Sequence, residues 1–265
     1  MIIPARFFDA VWLHLARLDL MHDDYHGLST PLILCIEGQP GVGKSYQLAG
    51  TLRQLNCVYV RVDASDFGGE FENEPVRRLQ SALDTLMDSH KDGLPRPALV
   101  IDDLDVSLGR FSSLTQNTIN TQLTTGWLMS LADRISDPTF SSSFPAIFVT
   151  GNNLGLVHQP LLRSGRARLF EYEPTGEETA AVLNPILMSL GLDNISKDLC
   201  RYSNMTLADI LEAVSRSVDV MTASTYQRKL PVNSNERPKQ SGLTRSVLTE
   251  LKSMSRAKKA RRLIR

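Results

Sequence analysis

The stretch Pro31-Leu32-Ile33-Leu34-Cys35-Ile36-Glu37-Gly38-Gln39-Pro40-Gly41-Val42-Gly43-Lys44-Ser45 decides how this chain folds. Its first six residues are an apolar run of strand length. Its last eight follow the spacing Gly-x-x-x-x-Gly-Lys-Ser, and an amphipathic segment to about Leu55 reads as a helix. A loop of this kind turns tightly on its glycines and cradles phosphates with backbone N–H groups at a helix N-terminus. Lys44 would reach the β and γ phosphates, and Ser45 would offer its hydroxyl to Mg²⁺. Gly38, Gln39, Pro40, Gly41, Val42, Gly43, Lys44, Ser45 and Tyr46 are therefore the candidate ATP-binding residues. A chance match to the spacing would not place a strand before the loop and a helix after it.

Working outward, Val58–Val62, Ala98–Ile101, Pro145–Thr150 and Arg168–Tyr172 read as further strands. Residues 5–20, 74–90 and 117–134 read as helices between or before them. Continuous apolar strands alternating with helices predict an α/β core built on a five-stranded parallel sheet covered on both faces. The third strand ends in Asp102-Asp103. The expectation is that Asp102, with Ser45, holds the Mg²⁺ shell and that Asp103 orients the attacking water, with Asp105 a third acid nearby. The fourth strand ends in Thr150-Gly151-Asn152-Asn153, where the Asn152 amide would sense the γ-phosphate; Gly-Asn is also ordinary turn chemistry. Arg163 and Arg166 either form surface ion pairs or act on a neighbouring subunit's nucleotide. After Pro174, residues 176–191, 194–202 and 206–224 read as helices with no strand between them. The predicted division is a P-loop core over 1–174, a small helical lid over 175–230, and a linker with a basic tail over 231–265.

The chain has 265 residues, 42% hydrophobic and 22% charged, as expected of a globular fold. The formal net charge is zero, but seven basic residues and no acid lie beyond Leu251, which leaves −7 on residues 1–251. This pattern argues against a body coated in nucleic acid and leaves the tail as a separate element. Cys35, Cys57 and Cys200 lack metal-ligand spacing, and Cys35 and Cys57 lie in apolar runs that suit buried thiols. The N-terminus does not read as a signal peptide, and no apolar run is long enough to span a bilayer; no membrane partner and a cytoplasmic setting are expected.

Taken in order, strand–loop–helix, strand–Asp-Asp, strand–Thr-Gly-Asn, Arg-x-x-Arg and a helical lid resemble an AAA+ ATPase. Within that superfamily the sequence is similar to the green-type Rubisco activases. The likeness is carried by Pro31–Leu34, Gly43-Lys44-Ser45-Tyr46-Gln47, Glu72-Asn73-Glu74-Pro75, Ile101-Asp102-Asp103-Leu104-Asp105, Thr115-Gln116-x-Thr118-x-Asn120-x-Gln122, Val149-Thr150-Gly151-Asn152 and Pro160-Leu161-Leu162-Arg163-x-Gly165-Arg166. The resemblance implies a homo-oligomeric ring, a hexamer, with catalysis shared between subunits. Asp103 and Asn152 would act from one side, and Arg163 and Arg166 from the next subunit. It also implies pore loops, by position Phe67-Gly68-Gly69-Glu70-Phe71 and residues 109–116; the competing reading makes Phe67 and Phe71 core residues. Departures are visible. The chain starts almost at the core, so the family's Rubisco-recruiting N-terminal domain is not expected. The family has Asn where this chain has Asp102, and its lid arginines fall on Ser215 and Ser217, flanking Arg216. The basic tail has no counterpart.

The leading expectation is an ATPase that remodels a client protein other than Rubisco. Alternatives are a nucleic-acid-associated ATPase using the basic tail, a Rubisco activase proper, or a switch that assembles but hardly hydrolyses, since Asp103 is one methylene shorter than glutamate.

Overall fold

The computed structural model describes residues 2–23, 30–67, 71–90, 94–109, 119–136, 144–192, 195, 198–202, 204–226 and 240–263. Contacts divide the chain into two units, one of residues 5–39 and 44–172 and the other of residues 1–4, 40–43 and 173–265.

The larger unit is an α/β layer. Its five strands are β1 (Ile33–Glu37), β2 (Tyr59–Val62), β3 (Ala98–Ile101), β4 (Ala146–Gly151) and β5 (Ala167–Glu171), in the order β2-β3-β4-β1-β5. All four pairings are parallel. The central strands are buried on both faces, which is why β1, β3 and β4 read as unbroken apolar runs rather than alternating ones. At the edge, β2 is less covered, with Val62 buried, Arg61 exposed, and Tyr59 and Val60 half-buried. Helices α1 (Ala5–Asp23), α2 (Lys44–Gln54), α3 (Glu74–Ser89), α4 (Leu104–Leu108), α5 (Ile119–Asp133) and α6 (Gln159–Leu162) complete the unit. Leu79, Leu83 and Leu86 recur at helical spacing on α3 and bury against the sheet. The thiols of Cys35 and Cys57 are buried, and burial pushes both up to about 12, so they are inert core groups.

Helix α1 carries one polar group into this core. His14 is 1% exposed, its Nε2 lies 3.2 Å from the Leu32 carbonyl, and its ring stands edge-on to Phe148. Burial lowers its pKa to about 3. In the unfolded chain a histidine takes up a proton below about pH 6.5, while the folded ring does so only near 3. The unfolded state therefore binds more protons as pH falls through this window. Stability is expected to drop by about 1.4 kcal/mol per pH unit below 6.5 from this group. Urea unfolding at pH 7 and pH 5 checks this, with His14→Gln expected to flatten the difference; an equal slope in both proteins would remove the assignment.

The second unit is helical. Helix α7 (Gly176–Ser189) opens on a capping box: Thr175 accepts from the Glu178 N–H, and the Glu178 carboxylate accepts from the Thr175 N–H. It packs with α8 (Leu207–Tyr226) and α9 (Gln240–Leu263). Residues 240–263, which sequence alone reads as the end of a linker and a basic tail, form α9. Val247 and Leu251 on this helix are fully buried in the helical core. Lys258 pairs with Asp209, and Asn204 and Ser255 exchange two hydrogen bonds. The basic composition hid an apolar stripe at i, i+4 spacing. Residues 231–239 lie outside the described residues.

Candidate functional site

The C-terminal ends of β1, β3 and β4 lie side by side, because parallel pairing sets Glu37 opposite Gly151 and Ile101 opposite Val149. The segments after these strands are thereby brought together, at the place where open parallel sheets bind ligands. The Gly38 N–H donates to the Gly151 carbonyl at 3.3 Å, tying the loop's first residue to the end of β4.

Lys44 is 6% exposed. Its ammonium donates to the carbonyls of Gly38 (2.8 Å) and Gln39 (3.1 Å) and to Asn152 Oδ1 (2.9 Å). Burial lowers its pKa, and Asp103, Asp105, Asp102 and Glu37 oppose that shift. The cation is held at the mouth of the loop together with the Asn152 amide that follows β4.

The Ser45 hydroxyl donates to Asp102 Oδ1 at 2.9 Å, and Thr150 Oγ1 donates to the same oxygen at 2.7 Å. Thr150 Oγ1 in turn accepts from the Asp103 N–H at 3.2 Å. Asp102 is 2% exposed, and its Oδ2 is buried without an aligned hydrogen-bond donor. A hydroxyl beside a buried carboxylate is a hard-oxygen donor set, and it fits a Mg²⁺ shell.

Asp103 is exposed beside this buried pair, at φ 52° and ψ 47° in the left-handed region. Strained backbone of this kind is frequent at functional positions. Its pKa is raised by partial desolvation and by Asp102 and Asp105, against the pull of Lys44 and Arg61. A carboxylate of raised basicity suits a group that orients and deprotonates water.

Asp105 has a different task. Its Oδ2 accepts from the N–H groups of Asn152 (3.0 Å) and Asn153 (2.8 Å), fixing the turn that presents the Asn152 amide. Sequence alone offers Asp105 only as a third acid; its partners lie in a distant segment.

The two arginines have different surroundings. Arg166 grips Asp133 in a fork, with Nε 2.7 Å from Oδ1 and a terminal nitrogen 2.6 Å from Oδ2, and it donates to the Pro160 carbonyl at 2.7 Å. The pair holds Asp133 below the usual carboxylate range. Arg163, at the end of α6, is exposed. Phe67 lies in the sheet's hydrophobic cluster at 9% exposure, whereas Phe71 is 72% exposed. Gly68 and residues 110–118 lie outside the described residues. Tyr46 is exposed at the third residue of α2.

In the helical unit, the Ala208 N–H donates to the Gly41 carbonyl at 3.0 Å. Gly41 adopts φ +79°, and a Cβ there would stand 2.7 Å from the Ala208 Cβ and 3.0 Å from Thr206 Oγ1. The loop tip thus packs on the start of α8, where only glycine fits. Arg216 on α8 is exposed and paired with Glu212, one turn away. Ser217 is buried and donates to the Ala213 carbonyl.

Residues 34–174 match the family model for the ATPase family associated with various cellular activities. The chain belongs to the AAA family of ATPases. This AAA chain is 29% identical over 214 residues to a ribulose bisphosphate carboxylase/oxygenase activase of Anabaena, covering 77% of this chain and 51% of that protein. It is 28% identical to the chloroplastic activase of Zea mays over 198 residues, or 72% of this chain and 45% of the relative. The AAA chain therefore spans about half the length of the curated relatives it matches. In fold it is similar to a chain of the E. coli MS115-1 HORMA:CdnC:Trip13 complex, with a TM-score of 0.60 at 18% identity, over 92% of this chain and 87% of that one. The AAA core and the activase-like motifs agree with the parallel sheet and its loop. Among the described residues, no helix is long and apolar enough to cross a membrane.

Proposed function

We propose that this AAA protein binds ATP with Mg²⁺ at Gly38–Tyr46 and hydrolyses it in a homo-oligomeric ring to remodel a partner protein. The observation that carries the reading is the polar network at the strand ends: Lys44 with Asn152, and Ser45 and Thr150 with Asp102. Mg²⁺ would supply positive charge at the phosphate oxygens, held by Ser45 and, through its shell, by Asp102. Asp103 would orient the attacking water and accept its proton. Asn152, aimed by Asp105, would hold the γ-phosphate end, and Lys44 would exchange its loop carbonyls for phosphate oxygens. Arg163, exposed on its own chain, would reach a neighbour's nucleotide. Arg166 would hold the α6–β5 segment through Asp133 and so set where Arg163 points. Phe71, exposed beside the start of α3, would be the gripping aromatic of a pore loop.

The test is steady-state hydrolysis by the size-resolved oligomer with ATP and Mg²⁺. Turnover confined to the assembled fraction supports the reading. Turnover below about one per minute in every fraction would favour a nucleotide-gated switch instead. Adding inhibited Rubisco decides that client: reactivation would assign it, and its absence with ATPase intact points to another protein.

A second reading rests on α9. Arg245, Lys252, Arg256 and Lys259 are exposed at helical spacing along one face. Such a stripe would bind nucleic-acid phosphates with steep salt dependence. Duplex DNA binding that disappears on charge reversal of these four residues would favour it; unchanged binding would not.

A further inference from the structure

One cation beside the proposed metal site takes no part in the chemistry described above. Arg61 projects from edge strand β2, which pairs with β3 so that Val62 stands opposite Ile101, one residue before Asp102. Its Nε lies 2.6 Å from Asp102 Oδ2. The arginine side chain is 51% exposed and the aspartate 2%. The contact is an ion pair and not an aligned hydrogen bond, since Asp102 Oδ2 has no donor in hydrogen-bonding geometry. That oxygen is neutralised in charge without accepting an aligned hydrogen bond. The same guanidinium reaches Asp63: Nε donates to Asp63 Oδ1 at 3.0 Å, and a terminal nitrogen lies 3.0 Å from the same oxygen. Asp63 is 55% exposed. Arg61 thus stands between a buried carboxylate and a solvated one.

A buried carboxylate is costly unless it is paired. In the absence of a divalent ion, Arg61 supplies Asp102 with its counter-charge. Two positive charges competing for one carboxylate oppose each other at short range. Resting on the reading of Ser45 and Asp102 as the metal side of the site, we propose that Arg61 is a positioning residue that competes with Mg²⁺ for Asp102. It thereby sets the Mg²⁺ concentration at which the site loads nucleotide. When the ion loads, the guanidinium remains with Asp63, which is the reason for the second carboxylate two residues along β2's exit.

The two partners of Arg61 predict opposite signs. Arg61→Gln removes the competitor, and the Mg²⁺ midpoint for tight binding of a fluorescent ADP analogue is expected to fall about three- to tenfold. Asp63→Asn removes the alternative partner, so Arg61 stays with Asp102 and the midpoint rises. Arg61→Lys keeps the charge but loses the guanidinium that spans both carboxylates, so its midpoint is expected between those of Arg61→Gln and the parent. The measurement is equilibrium fluorescence on the intact protein across a Mg²⁺ titration, with circular dichroism melting of each variant confirming that it is folded. Unchanged midpoints in folded Arg61→Gln and Asp63→Asn would overturn the role of Arg61. Loss of Mg²⁺ dependence in the parent protein itself would instead overturn the metal-site reading, so the two failures are distinguishable. If Arg61→Gln does not fold, the Asp63→Asn shift alone decides, because Asp63 is exposed.

Discussion

Lys44→Ala is expected to abolish ATP turnover, lowering kcat/KM by at least about a hundredfold. The ammonium is 6% exposed and held by two loop carbonyls and Asn152, so it is already placed where phosphate oxygens would arrive. No other described cation contacts both the loop and the end of β4. Removing it deletes the transition-state charge and leaves those acceptors without their donor. Phosphate release by the assembled protein gives the rate, and a fluorescent nucleotide separates lost binding from lost chemistry. Turnover within threefold of the parent would show that the phosphates lie elsewhere.

Arg163→Ala is expected to lower kcat by about 10³-fold while nucleotide affinity stays near that of the parent, the pattern of an arginine supplied in trans. Arg163 is exposed, while Arg166 is occupied by Asp133 and the Pro160 carbonyl. The two arginines should therefore fail differently. Arg166→Ala releases the α6–β5 segment and should cost thermal stability as well as rate, whereas Arg163→Ala should cost rate alone. Mixing inactive Arg163→Ala subunits with inactive Lys44→Ala subunits tests sharing directly. At equal proportions about a quarter of the interfaces would combine an intact loop with an intact finger. Recovered hydrolysis is expected; a mixture as inactive as its parts would place Arg163 in its own subunit's site or outside any site.

Local spacing made the cradle legible. A phosphate loop needs its glycines, lysine and serine within eight residues, and the acids and amide directly follow buried strands, so all three signals survive in one dimension. What was not legible depends on strands meeting sideways. Nothing in Tyr59-Val60-Arg61-Val62 announces that Arg61 will stand against Asp102, because that requires β2 to pair with β3 in one particular register. Asp105 reads as one acid among three until β4 brings Asn152 and Asn153 onto its carboxylate. Arg163 and Arg166 are equivalent in sequence; only α5, which carries Asp133, tells them apart. Helix α9 is hard to read from sequence for a related reason: seven cations dominate its composition, while the apolar residues that anchor it are few.

The hydrogen bond from Ala208 to Gly41 has a consequence for modularity. The four residues at the tip of the phosphate loop group with the helical unit, although the residues on either side of them belong to the sheet unit. The chain therefore passes between the two units at both ends of the loop tip as well as after Tyr172. Excising residues 173–265 to obtain a minimal ATPase would not detach an independent module. It would remove the N–H that donates to the Gly41 carbonyl and the surface for which its missing side chain makes room. Insertions, fusions and circular permutations that respect a single boundary near residue 173 would meet the same obstacle, so selection on the loop and on the start of α8 cannot proceed separately.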